Sequence, residues 1–142
     1  LDGRGELLAN ATKYGLQFLK NKNKPFFLMV EAAQIDSFGH HNNAAGIIAE
    51  TIDFDKAISE ALKFAGHNPE TLVIITADHE TSGFSIPQGN IKDHKIEGDF
   101  ITHDHTGVMV PIFAYGPQSN LFRGVYENNE VFHKILQSIE KE

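Results

Sequence analysis

No cysteine occurs among the 142 residues. That absence excludes a disulfide framework, a thiolate nucleophile and a cysteine-built zinc site, so any bound metal must rest on His, Asp, Glu or hydroxyl oxygen. Positive charge is scarce too. Twelve Lys and Arg stand against nineteen Asp and Glu, a formal charge of -7 with no basic run, and the electrostatic footprint of a nucleic-acid or anionic-membrane binder is missing. No apolar run approaches the roughly 20 residues needed to span a bilayer, and the opening LDGRGELLAN lacks a basic start followed by an apolar stretch. The expectation is a chain without a membrane segment and without an attached leader. Repeats and low-complexity linkers are also lacking, so residues 1–142 are expected to belong to one domain. At that size a folded chain typically buries about 70% of the surface its unfolded form exposes.

What is present alternates between two periodicities. Leu8, Ala11, Gly15 and Leu19 recur at helical spacing among Lys and Asn, and Pro25 closes that segment. Phe26 to Val30 is a continuous apolar run of strand length, the pattern of a strand buried on both faces of a parallel sheet. Residues 43 to 65 carry Ile48, Ile52, Ile58, Leu62 and Ala65 against Glu50, Asp55, Glu60 and Lys63, a second helix ended by Gly66 and Pro69. Leu72 to Thr76 and Val110 to Tyr115 read as two more strands, and Val131, Phe132, Ile135, Leu136 and Ile139 as a closing amphipathic helix. The polar stretch between Gly83 and Phe100 reads as a surface loop. This order predicts a layered α/β/α fold with a mostly parallel central sheet.

Two of the apolar runs end in acids and imidazoles. FFLMVEAAQIDSFGHH carries Glu31, Asp36, His40 and His41, and TLVIITADHETSG carries Asp78 and His79. Ligands of open α/β sheets gather at the carboxyl ends of strands, where the loops converge. A lone Asp or His after a strand is most often a cap or a turn hydrogen-bonder, and His41, His67, His94 and His133 keep that reading. Two strand-end groups of the same kind are harder to explain by capping. Asp36 and His40, four apart, share one face of a helical turn, and zinc bonds of roughly 2.0–2.2 Å require such rigid neighbours. Glu31, directly after five apolar residues, calls for a cation or a hydrogen-bonded partner. A third cluster, THDHTG at 102 to 107, offers His103 or His105; spacing does not choose between them. Two divalent ions about 3.5–4 Å apart can clamp the attacking and leaving oxygens of a phosphate displacement, which would use Glu31, Asp36, His40, Asp78 and His79.

The stretches VEAAQIDSFGHHNN, TADHETSGF and HTGVMVPIFAYGP, in that order, resemble the C-terminal part of alkaline phosphatases. The resemblance covers nearly the whole chain, apart from the polar stretch 84 to 101. It implies that Asp36, His40 and His105 hold one zinc, that Asp78 and His79 hold part of a second, and that Glu31 is a ligand of a magnesium. It picks His105 over His103. The function it implies is metal-dependent hydrolysis of phosphate monoesters in a periplasmic or secreted enzyme, for which a homodimer fits family habit. The sequence departs from the family pattern at Ala32 and Ala33, where glycine is usual, and at Ser37, where other members carry Lys or His. None of Ser37, Ser59, Ser82, Ser85, Ser119 and Ser138 stands in the family's nucleophile context. The expectation is therefore a C-terminal portion of the catalytic domain, without the nucleophile and inactive alone. A sister metallohydrolase of phosphodiesterase or phosphoglycerate mutase type is the alternative, and a non-enzymatic metal-keeping domain ranks last.

Overall fold

The computed structural model describes residues 4–140. Helix α1, Leu7–Lys20, buries Ala9, Thr12 and Leu16, spaced three and four apart, against the long helix α3, Ala44–His67. The buried stripe is turned slightly from the expected one, and Ala11 is exposed. Thr12 is tolerated inside because its hydroxyl donates to the Leu8 carbonyl at 2.8 Å. Between α1 and α3 in sequence comes the short helix α2, Gln34–His40, which also packs on α3. The side chain of Asn43 caps α3 by accepting from the Gly46 N–H at 2.9 Å. Helices α2 and α3 approach closely at Gly46, where an added Cβ would stand 2.3 Å from the ring of Phe38. Inside α3, Glu50 and Asp53 are buried charges, and Arg4 answers both at 2.6 and 2.8 Å. Buried carboxylates need such a partner.

Asn68 and Pro69 follow α3 and lead to strand β1, Val73–Thr76. Strand β2, Glu80–Thr81, follows, then β3, Ser85–Asn90, and β4, Lys95–Asp99. The stretch read as a loop is thus a hairpin, exposed along both strands. Polar on both faces, it shows no alternation for a sequence reading to detect. Strands β5, His105–Thr106, and β6, Ile112–Tyr115, a short 3-10 turn at Ser119–Phe122 and helix α4, Glu130–Ile139, complete the order.

The α/β class holds, but the described strands pair otherwise than expected. β1 with β6, β2 with β5 and β3 with β4 are all antiparallel, and the expected parallel sheet is not formed among the described residues. Phe26 to Val30 is not a strand either: the segment joins no ladder, and Phe27 and Met29 are 68% and 69% exposed. An apolar run becomes a buried strand only where neighbouring strands take its N–H and C=O groups. The antiparallel β1–β6 pair has a direct consequence for chemistry. Thr76, at the end of β1, lies opposite Ile112, at the start of β6, so the loop entering β6 and the loop leaving β1 share one edge.

The accessible surface totals 10411 Å². A compact monomer of 15.8 kDa would expose about 7,300 Å². The surplus, roughly 3,000 Å² by that scaling, includes Phe27, Met29, Phe113 and Tyr115.

Candidate metal centre

Three loops and turns meet at the shared edge. Helix α2 presents Asp36 and His40 one turn apart, and β5 presents His105. The nitrogen Nε2 of His40 lies 3.4 Å from Oδ1 of Asp36, that of His105 lies 3.5 Å from the same oxygen, and the two nitrogens are 3.2 Å apart. Among the described residues these three form the group whose donor atoms could surround one ion. Their side chains are between about a third and half exposed, so an ion can enter from solvent.

The edges of this triangle are held from behind. His40 sets its other nitrogen, Nδ1, 2.6 Å from the His103 carbonyl, and Nδ1 of His103 stands 3.0 Å from the His40 carbonyl. A ring whose Nδ1–H donates to a carbonyl keeps Nε2 free as an electron-pair donor. His103 thus braces the loop, and His105 faces Asp36. The Thr81 hydroxyl donates to Oδ1 of Asp36 at 2.5 Å. That bond holds the Asp36 carboxyl below its usual range; partial burial opposes it, and the imidazoles of His40, His79 and His105 add to the lowering. Helix α2 can come this close to β2 because residue 39 is glycine: a Cβ there would stand 2.8 Å from Cγ2 of Thr81.

Asp78 and His79 lie beside the triangle. The His79 ring stacks on that of His105 at 3.5 Å between centroids, and its Nε2 is 3.2 Å from Oδ2 of Asp78, whose side chain is almost fully exposed. Asp78 and His79 complete no group of three among the described residues. Glu31 is exposed at the end of the extended segment and stands outside the triangle. Sequence reasoning missed Thr81, Glu80 and the His103 carbonyl. The first two could have been suspected from HETSG, where a carboxylate and a hydroxyl precede a Ser-Gly turn.

A carboxylate and two imidazoles converge at the strand edge of an α/β framework, a donor set that could hold a metal ion. The family model for alkaline phosphatase matches residues 5–99 and 88–140. Alkaline phosphatase H of Pseudomonas aeruginosa (strain UCBPP-PA14) is 36% identical over 93% of this chain and 31% of its own length. The alkaline phosphatase of Escherichia coli (strain K12) is 34% identical over the same shares. Among solved structures, the alkaline phosphatase of the Antarctic bacterium TAB5 superposes with a TM-score of 0.89 at 48% identity, covering 96% of this chain and 42% of that one. A variant of that enzyme was solved with magnesium in a site termed M3. The chain belongs to the alkaline phosphatase family. It spans about a third of the length of the curated relatives it matches.

Proposed function

We propose that this chain supplies metal ligands to a phosphate monoester hydrolase: Asp36, His40 and His105 to one zinc, Asp78 and His79 to a second, and Glu31 to a magnesium. The observation that carries this reading is the triangle of donor atoms. Zinc bonds of 2.0–2.1 Å at tetrahedral angles put ligand atoms roughly 3.3–3.4 Å apart, and the three separations here are 3.2, 3.4 and 3.5 Å. One carboxylate oxygen with two imidazole nitrogens is the donor set of a zinc site that keeps a fourth position open. Held by these residues, a zinc ion would supply Lewis acidity toward a phosphoryl oxygen and toward water.

The residues of this chain have narrower tasks. His40 and His105 present Nε2, and the His103 carbonyl fixes the His40 ring. Asp36 offers negative charge that the Thr81 hydroxyl keeps ionised and oriented. His79, stacked on His105, sits where a neighbouring ion would share the edge. The nucleophile lies outside the sequence given, so this chain is read as the C-terminal portion of one domain, inactive alone. By family habit that domain belongs to a periplasmic or secreted homodimer. No described helix is long and apolar enough to cross a membrane. The relatives and structures named above are alkaline phosphatases, which supports a phosphomonoesterase over a sister metallohydrolase.

Zinc titration by calorimetry tests the ligand set. One dominant site is expected, because Asp78 with His79 supplies only two ligands in this chain. His105→Ala should abolish that site. Unchanged binding in that variant would overturn the assignment.

A further inference from the structure

Strands β2 and β5 carry the ligand His105, yet they pair over only two residues, Glu80 with Thr106 and Thr81 with His105. Residues directly opposite in an antiparallel pair share a face, and successive residues alternate faces. Thr81 and His105 therefore look toward Asp36, and Glu80 and Thr106 look away from it. A ladder this short does not hold itself.

On the far face the carboxylate of Glu80 gathers four contacts. Its Oε1 accepts from the N–H of Gly83 at 2.8 Å and of Phe84 at 3.3 Å, and its Oε2 accepts from Gly83 at 3.1 Å and from the Thr106 hydroxyl. The N–H groups converge because Ser82 and Gly83 are both left-handed, at φ 72° and 62°, and successive amides in such a turn form a cup for an anion. Ser82 is fully buried in a conformation unfavourable for an L-residue. Its N–H donates to the Asp104 carbonyl at 2.8 Å, and its own carbonyl accepts from Ile101 at 2.9 Å and from Thr102 at 3.2 Å. The turn after Glu80 is thus wired to the loop that delivers His105.

We propose that Glu80 is a positioning residue: by clasping the Ser82–Gly83 turn and Thr106 together, it fixes His105 against Asp36 and His40. It touches none of the three donor atoms and acts through the strand pair. The proposal rests on the metal reading above for its consequence, not for its geometry. Bonds to an ionised acceptor are the strong ones, and losing a group that orients a metal ligand typically weakens metal binding about 10–100-fold.

The experiment uses the chain with Glu80→Ala, Thr106→Val and Thr106→Ser. Zinc affinity is read by competition with a chromophoric chelator, cobalt coordination by its visible spectrum, and amide exchange of the metal-free chain by mass spectrometry. Glu80→Ala and Thr106→Val should weaken zinc binding about tenfold or more, a size usual for lost ligand support, and should alter the cobalt band. Glu80→Ala should also accelerate exchange over residues 102–107. Thr106→Ser keeps the hydroxyl and should restore binding to near the parent's. If Glu80→Ala does not fold, the Thr106 pair still decides. Zinc affinity, cobalt spectrum and exchange all unchanged in a folded Glu80→Ala chain would overturn the proposal, as would a Thr106→Ser chain as impaired as Thr106→Val. A parent chain without zinc affinity would overturn the metal reading instead, and the exchange arm, which needs no metal, would still rule for or against the clasp.

Discussion

Replacing Thr81 by Val isolates one bond. Valine keeps a methyl where Cγ2 of Thr81 packs beside Gly39, and it removes the hydroxyl that donates to Asp36 at 2.5 Å. A hydrogen bond to a charged acceptor contributes about 1.5–3 kcal/mol when shielded from solvent. The Asp36 side chain is 45% exposed, so screening reduces this to about 1 kcal/mol. For a chain of this length that shifts the melting temperature by about 3 °C. The pH dependence gives the sharper check. The folded-state pKa of Asp36 is depressed from the usual 3.8, so its contribution is complete above that value and is lost as pH falls through the lower, folded one. Urea unfolding of both chains in EDTA, at pH 7 and again well below pH 3.8, should show the difference at neutral pH and at most about half of it in acid, since a neutral carboxyl is the weaker acceptor. An equal loss at both pH values would refute the reasoning, because it would trace to packing and not to the carboxylate.

Gly39→Ala places a Cβ 2.8 Å from Cγ2 and 3.0 Å from Cβ of Thr81, so α2 must retreat from β2; denaturant titration should show about 1–3 kcal/mol of overpacking loss, and zinc affinity should fall with it. The purified chain, in saturating zinc and magnesium, should hydrolyse a chromogenic phosphate monoester no faster than the same ions with an unrelated His-rich protein. Turnover that Asp36→Ala abolishes would mean that it carries its own nucleophile.

The helices were legible because a period of 3.6 is written locally. Spacing placed both helices but not the face each buries: α1 buries Ala9, Thr12 and Leu16 where Leu8, Ala11, Gly15 and Leu19 were expected, and in α3 only Ala65 of the expected stripe is buried. The direction of strand pairing is not local. Nothing in VIIT or IFAY says that the two run antiparallel, yet that direction brings the loop before β6 to the end of β1. Phe26 to Val30 was misread for a related reason, since apolarity records a preference for burial and not the strand that would supply it. At the site, Asp36 and His40 could be paired from their spacing on one helical turn. The distinction between His103 and His105 turns on which ring faces α2 and which braces it, and two residues of one loop carry no such mark. The resemblance pointed to His105, and the structure places its Nε2 against Asp36. HETSG marks Thr81 and Glu80 as polar residues before a turn, but not what they bind, because their partners lie 45 and 26 residues away.

The unpaired apolar segment also governs how the chain behaves in concentrated solution. An extended backbone that joins no ladder among the described residues, bearing the exposed Phe27 and Met29, is a template on which a second chain can add as a strand. Opposing this is the net charge of -7, whose repulsion acts over about 10 Å at 0.1 M salt and about 3 Å at 1 M. Salt should therefore weaken the barrier while leaving the attraction intact, so light scattering is expected to rise between about 0.1 M and 1 M salt, and scattering that does not change with salt would refute this.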